Sequence, residues 1–466
     1  MKNIPIISTL INVFSIAELR NKVLFTLAML MVYRIGHWIP IPGVNQDAIA
    51  KALKSTDSSS VLGQTAQLIS MFSGGTISQS TIFGLGVMPY ITAGIIFQLV
   101  ASVYPPMKKL QEEGPSGRQK IMEWTRYVTL ALCVVQGIGY MTLSVNMHLV
   151  YPEWSSQPLW WVLALTALTA GTMFLMWIGE QIDRHGIGNG VSMIIMAGIL
   201  TQMPTALTTV ITNFKPGDPQ KIGWIGLIAL AGGFVLVVAG SVIMTVAQRR
   251  IPVQQAKHTR GRRVFGGQRS YLPLRVNHGG VMPIVFASSL MAFPSILIAA
   301  LSQRFADDPS SWGHGLFRWL HDNLAQGQFP YTVIYIGMVY FFSYFWITVQ
   351  FNPEEMSKQL KEHGSFIPGL RPGPRTAEYL ETVITRITFV GAAFLSVIAV
   401  LPLIVNSAMN IDYVVSQFFG GTGLLIVVSV ALDFLQRVEA NLLMRNYSGF
   451  LAGEGEDGAK LRSARG

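Results

Sequence analysis

An all-α integral membrane fold, with ten transmembrane helices in two inverted pseudo-symmetric halves of five, is what this sequence predicts. Three observations carry the prediction: ten apolar stretches of spanning length, a strong asymmetry of Lys and Arg between the two sides, and a four-residue echo at matching places in the halves. The stretches run 23–40, 80–104, 127–146, 159–179, 187–206, 223–247, 279–301, 330–351, 385–406 and 421–438. A helix of ~20 apolar residues crosses the hydrocarbon. With loops numbered alternately, the side that carries the N-terminus holds 27 of the 34 Lys and Arg, the other side holds 6, and Arg34 lies within the first stretch. Basic loops stay in the cytoplasm, so a multi-pass protein with both termini cytoplasmic is predicted.

The chain divides evenly. Residues 1–206 hold spans one to five, a polar stretch at 207–222 (Asn213, Lys215, Pro216, Gly217, Asp218) forms a hinge loop, and 223–440 holds spans six to ten, leaving 441–466 as a cytoplasmic tail. An odd number of spans per half forces opposite topologies, the inverted-repeat plan of transport proteins. Gly86-Val87-Met88-Pro89 in the second span and Gly280-Val281-Met282-Pro283 in the seventh are the echo. A proline there is predicted to bend its helix, and broken helices border cavities rather than lipid.

Charged residues make up 12% of the chain, about half of the ~25% usual in soluble domains. The net charge of +10 therefore matters for its location rather than its size. The single cysteine, Cys133, falls within the third span, which excludes an internal disulfide or a Cys-based metal cluster and reads as a small buried hydrophobe. The moderately apolar start, Ile4 to Ala17, leads through Glu18 and Arg20 straight into span one. No cleavable leader is expected, and the segment suits an amphipathic helix on the cytoplasmic interface.

Three segments depart from a plain bundle. Leu62 to Ser80, on the outer side, is too short and polar to cross yet too apolar for a solvated loop, with Leu68, Ile69, Met71 and Phe72. It reads either as a re-entrant half-helix ending at Gly74-Gly75 or as an interfacial helix. The loop from Gln248 to Arg275 carries eight Arg and Lys with no Asp or Glu, interleaved with Val264, Phe265, Tyr271 and Leu272. Like charges repel, so it projects into solvent as an ordered hairpin seeking anionic lipid, RNA phosphate or an acidic protein surface. The loop at 352–384 centres on Gly369-Leu-Arg-Pro-Gly-Pro-Arg375, where Pro and Gly fix a turn with Arg371 at its tip.

Absent chemistry is as informative. Coupled transporters need ionisable groups near the midplane, and the candidates here lie towards span ends: Arg34, Asp433 with Arg437, and Glu180, Asp183 and Arg184. No His-Glu-x-x-His pair, no paired intramembrane Asp and no phosphate-binding Gly-rich loop occurs, so no catalytic residue, cofactor or metal ligand is predicted. Gly114-Pro-Ser-Gly117 reads as a turn in a charged loop, and the Asn446-Tyr-Ser448 sequon as silent in a cytoplasmic tail.

Specific motifs then point to a family. Met71-Phe-Ser-Gly-Gly75 running into Ile82-Phe-Gly-Leu-Gly-Val-Met-Pro-Tyr-Ile-Thr92 resembles the SecY/Sec61-alpha family, the channel subunit of the Sec protein translocase. So do Met173-Phe-Leu-Met-Trp-Ile-Gly-Glu-Gln181 with Gly186-Ile-Gly-Asn-Gly190, Arg262-Arg-Val264, Leu272-Pro-Leu-Arg-Val-Asn277, Phe351-Asn-Pro353, Pro368-Gly-Leu-Arg-Pro-Gly373 and Gly420-Gly-Thr-Gly-Leu-Leu-Ile-Val427. The motifs extend over nearly the whole chain in the family's order.

The resemblance implies a protein-conducting channel that passes unfolded secretory chains and releases apolar segments sideways into the membrane. It makes residues 65–78 a re-entrant plug (Leu68, Ile69, Met71, Phe72, Gly74, Gly75) and makes Val87, Ile91, Val191, Ile195, Val285 and Ile426 a pore ring. It places Thr92, Gln136 and Asn277 at a lateral gate of spans two and three against seven and eight, and assigns motor or ribosome docking to Arg262, Arg263 and Arg371. All six ring positions are β-branched aliphatics, stiff side chains that close around a peptide without hydrogen-bonding to it. The implied partners are SecE, SecG, the SecA ATPase, the ribosome, a signal-bearing polypeptide and anionic lipids in a bacterial inner membrane; a homodimer is left open. The family rarely has His278-Gly279 after Asn277. A small-solute secondary transporter with inverted repeats is the competing class.

Overall fold

The computed structural model describes residues 16–45, 48, 80–146, 149–215, 223–255, 258–260, 263–265, 269–291, 298, 312–324, 328–409 and 413–463. The predicted plug, Leu68 to Gly75, lies outside them, as does Arg262. The helices are α1 (Ala17–Gly36), α2 (Met88–Val103), α3 (Pro105–Glu112), α4 (Pro115–Asn146), α5 (Pro152–Ser155), α6 (Pro158–His185), α7 (Gly190–Asn213), α8 (Trp224–Val246), α9 (Met282–Met291), α10 (Trp312–Asn323), α11 (Phe329–Gln350), α12 (Pro353–Glu362), α13 (Pro374–Met409), α14 (Tyr413–Gly420) and α15 (Thr422–Ser463). Between α8 and α9 come strands β1 (Gln248–Gln255), β2 (His258–Arg260), β3 (Arg263–Phe265) and β4 (Arg269–Arg275), and β5 (Ser365–Phe366) follows α12.

Each of the ten predicted stretches falls on a helix. By length and composition alone α6, α7, α8, α11 and α13 suffice to cross a membrane, and α2 with α3 makes a sixth, bent by 108°. The bend falls at Tyr104, before two prolines that cannot extend the α2 hydrogen-bond ladder. The other four predicted stretches fall on α1, α4, α9 and α15: α1 carries Glu18, Arg20, Lys22 and Arg34 at its ends, and α9 is apolar but short within the described residues.

Exposed aromatic side chains cluster at the helix ends on both sides. Tyr104, Trp124, Tyr127 and Trp177 mark the basic side, and Trp38, Tyr151, Trp154, Trp224 and Phe329 the opposite one. Between them Leu27, Met31, Ile228, Val235, Val390 and Val397 stay exposed. Apolar flanks between two aromatic belts are what a bilayer demands of a surface.

The echo folds alike in both halves. Gly86 and Gly280 adopt positive φ of 56° and 58°, a left-handed conformation that glycine enters without a Cβ penalty. Each is followed two residues on by a helix start, Met88 and Met282. The prolines thus sit in the first turn, where their missing N–H is no loss, and they start helices instead of bending them as predicted. Other boundaries also move: α7 continues to Asn213, so 207–213 of the predicted hinge is helical. The third span extends back to Pro115. The last helix runs past the predicted tail boundary at 440 to Ser463.

The basic loop is the ordered hairpin expected. β1 pairs antiparallel with β4 from Gln248↔Arg275 to Gln254↔Arg269, and β2 pairs with β3. Ile251, Val253 and Leu274 bury against Ile347 of α11 and Leu380 and Ile384 of α13, while Arg249, Arg250, Arg269 and Arg275 stay exposed. β5 adds to β1 through Gln254↔Phe366 and Gln255↔Ser365. The two loops read separately in the sequence therefore form one three-stranded unit, ordered β4-β1-β5.

Close helix contacts depend on particular glycines. A Cβ at Gly171 of α6 would lie 2.1 Å from the Ile82 carbonyl oxygen, a backbone atom that cannot swing aside. Gly171→Ala is expected to destabilise the fold by about 1–3 kcal/mol, the range for overpacking. Gly232→Ala on α8, with nothing within 4 Å, is expected to be neutral. Thermal unfolding of both variants in detergent tests the difference.

Candidate functional site

The six predicted ring residues come from four helices and meet in one apolar cluster. Val87 at the α2 N-terminus, Ile91 of α2, Ile195 of α7, Val285 of α9 and Ile426 of α15 are buried, with exposures of 1%, 7%, 4%, 2% and 1%. Val191 of α7 is half-buried and packs against them. The cluster continues into Ile95, Ile178, Ile199, Ile284 and Leu425. It closes the seam between residues contributed by the two halves.

The polar residues predicted at the gate behave differently. Thr92 donates its hydroxyl to the Met88 carbonyl of its own helix at 2.9 Å. Asn277 donates to the Gly280 carbonyl at 2.9 Å, closing the turn into α9. Both bonds are made to a backbone carbonyl a few residues away. Gln136 is half-buried on α4. A contact across the seam comes instead from Ser289 of α9, whose hydroxyl lies 3.6 Å from the Met88 sulfur. Lipid tails are as apolar as these side chains, so the seam rests on van der Waals fit between them, and an interhelical polar contact in membranes averages about 0.6 kcal/mol. Apolar packing dominates this seam.

Stronger bonds lie within each half. Arg126 of α4 forks onto Glu180 of α6 through Nε–Oε1 at 3.0 Å and a second hydrogen bond to Oε2. A bidentate guanidinium–carboxylate pair fixes orientation as well as distance. Asp183 accepts from the Gly190 amide at 2.7 Å and Asn189 caps α7 through Ser192 N–H at 3.0 Å. This gives the Gly186-Ile-Gly-Asn-Gly190 motif a local role, because a Cβ at Gly190 would meet the Gly179 carbonyl oxygen at 2.0 Å. No sequence periodicity announced the Arg126–Glu180 pair, whose members are 54 residues apart.

In the second half the root of α9 is held by its neighbours. The Val276 amide donates to the Ala247 carbonyl at 2.9 Å, and Gly391 of α13 leaves room for the Val276 carbonyl, which a Cβ would approach to 2.8 Å. His278 places its ring edge-on to Phe351 with centroids 4.3 Å apart.

The docking residues separate too. Arg371 is exposed; its carbonyl accepts from the Thr376 hydroxyl at 2.9 Å, and positive φ at Gly369 and Gly373 shapes the turn around it. Arg263 lies on β3, opposite Arg260.

Such an arrangement defines a class of protein: a membrane channel body whose two halves close on an apolar constriction. Comparison with known proteins then places it. The SecY family model matches residues 81–435. Protein translocase subunit SecY of Chlamydia trachomatis is 41% identical over 459 residues, covering 95% of this chain and 98% of that one. Its counterpart in Escherichia coli is 39% identical over 446 residues, covering 94% of each chain. Among solved structures, a protein-conducting channel aligns with a TM-score of 0.58 at 18% identity over 90% of this chain and 92% of that one. An idle yeast Ssh1 complex bound to the 80S ribosome aligns with a TM-score of 0.59 at 15% identity, covering 90% and 89%. The chain belongs to the SecY family. The ten-span fold in two halves agrees with these neighbours, and the small-solute transporter class falls away.

His278 supplies a pH dependence. Burial pushes its imidazole below the ordinary value, the Arg275 charge adds to this, and the Arg275 carbonyl partly offsets it. A histidine with a depressed native pKa favours the neutral form in the fold. Its contribution is therefore complete above the unfolded value of 6.5 and declines as the pH falls through that value towards the native one. The thermal midpoint of the wild type is expected to fall between pH 7.5 and 5.5 more steeply than that of His278→Phe; equal slopes would remove this histidine as the source.

Proposed function

We propose that this chain is the protein-conducting channel of a bacterial translocase, passing unfolded secretory polypeptides through the ring of Val87, Ile91, Val191, Ile195, Val285 and Ile426. It is a channel subunit and not an enzyme. The observation that carries the reading is the meeting of these six residues, scattered over four helices, in one dry cluster at the seam of the halves. Stiff aliphatics offer no hydrogen bond to a passing peptide, so the collar fits any sequence and retains none.

Sideways release uses the seam between α2 with α4 and α9 with α11. Because the seam rests on packing and weak polar contacts, a few apolar residues of a signal sequence, at ~0.3–0.6 kcal/mol each at mid-bilayer, compete with its closure. Thr92, Gln136 and Asn277 contribute by setting the helix surfaces there. The plug at 65–78 seals the side opposite the basic loops, and the stretch at 214–222 serves as the hinge.

The basic side is cytoplasmic, with both termini, in the bacterial inner membrane. There the β4-β1-β5 unit and the Arg371 turn form the docking surface, with Arg262, Arg263 and Arg371 meeting the acidic or phosphate-bearing groups of SecA and the ribosome. Two structural neighbours are ribosome-bound complexes, which supports the ribosome as a partner. SecE and SecG complete the membrane complex, anionic lipid surrounds it, and energy comes from the docked motor or from chain elongation.

Single cysteines at Ile91, Ile195 and Ile426 in a Cys133→Ser background, probed with a secretory chain stalled in transit, test the conduit. Crosslinks to all three and none to Val235 or Val397 on the exposed flanks are expected. A silent ring beside a moving chain would assign these aliphatics to packing alone.

A further inference from the structure

The helix α10 has no part in the channel reading and has an unusual surface. Leu316 and Trp319 are exposed, at 44% and 62%. Phe317 and Leu320, on the adjoining arc, are half-buried. At 3.6 residues per turn, Arg318 falls about 160° and Asp322 about 120° around the helix from Leu316, Asp322 bordering Trp319 at i+3, and both are exposed. The helix therefore has three strips: one against protein, one apolar and uncovered, one charged.

Its place in the chain says what covers the apolar strip. Five residues separate the end of α10 from α11, which begins with Phe329, 80% exposed. From there Val333, Ile334 and Phe341 continue down the membrane-facing flank of α11. Trp319 precedes that flank in the chain, on the side where Trp38, Tyr151, Trp154 and Trp224 form the aromatic belt. Tryptophan is enriched at that depth because its ring is apolar and its N–H needs a partner. An amphipathic helix with one wet and one apolar strip rests in the plane of such an interface.

We infer that α10 is an interfacial foot of the C-terminal half, with Leu316 and Trp319 seated in the headgroup–acyl boundary of the leaflet opposite the basic loops and Arg318 and Asp322 in water. The formal charges of α10 cancel, so its attachment comes from apolar burial and is indifferent to lipid charge. In the chain α10 lies between α9 and α11, both walls of the seam. Its seat gives the linker between them a fixed point at the membrane surface.

Spin labels on single cysteines test this in the full chain with its co-purifying subunits. Labels go at Leu316, Trp319, Arg318 and Asp322, reconstituted in phosphatidylcholine vesicles with and without phosphatidylglycerol; native Cys133 is buried, and unsubstituted protein is the blank. Power saturation is read with oxygen, which concentrates in lipid, and with a water-soluble nickel chelate. The expected result is oxygen-dominated relaxation at 316 and 319, nickel-dominated relaxation at 318 and 322, and no change with phosphatidylglycerol. Nickel-dominated relaxation at all four positions would overturn the inference by placing the helix in water. Shielding of 316 and 319 from both reagents would overturn it by placing a protein partner on the strip. A lipid-charge dependence would overturn the apolar basis of attachment.

Discussion

The dry packing of branched aliphatic side chains across the seam is the constraint on which the rest of this structure depends. Val87 and Ile91 on one side and Val285 and Ile426 on the other are each exposed by 7% or less. A constriction held by ion pairs would exact a desolvation penalty at every opening and would grip charged segments of a passing chain. Packing among aliphatics has neither property. On the proposed function, such a collar has no directional partner to satisfy when it opens and conforms to whatever enters.

Everything around the constriction positions these few residues. The left-handed glycines at 86 and 280 let α2 and α9 start at equivalent points in the two halves. Arg126 and Glu180 tie α4 to α6, while Phe351 and the gap at Gly391 hold the root of α9 against α11 and α13. The stronger bonds described thus run within halves, and softer packing runs between them. The β4-β1-β5 unit leads through Val276 and Asn277 into α9. The basic hairpin thus lies one short connection from a seam helix.

Much of this was legible in the sequence because membrane crossing imposes long apolar runs and a one-sided distribution of Lys and Arg. The hairpin was legible from Phe265, Tyr271 and Leu272 set among like charges. That Val87, Ile91, Val191, Ile195, Val285 and Ile426 would share one apolar cluster was legible only through motif positions, since a buried valine or isoleucine announces nothing by itself. What escaped has physical reasons. Pro89 and Pro283 start helices because the preceding glycine turns the chain, and a proline's effect depends on which turn of a helix it occupies. Thr92 and Asn277 bond to nearby carbonyls, an option always open to short polar side chains. β5 is two residues long, too short for any alternation to show, and the Arg126–Glu180 pair joins distant stretches. Helix α10 hid in an outer loop because its 12 residues are too few to cross.

The most direct test of the central claim is ionic conductance through the resting channel. Full chain with its co-purifying subunits would be fused into planar bilayers and clamped, wild type against a variant carrying Ile91→Gly, Ile195→Gly and Ile426→Gly. The account predicts current near the lipid baseline for the wild type and frequent open bursts for the variant, with both proteins remaining folded. A folded variant that stays as tight as the wild type would contradict it and move the seal away from the aliphatic seam.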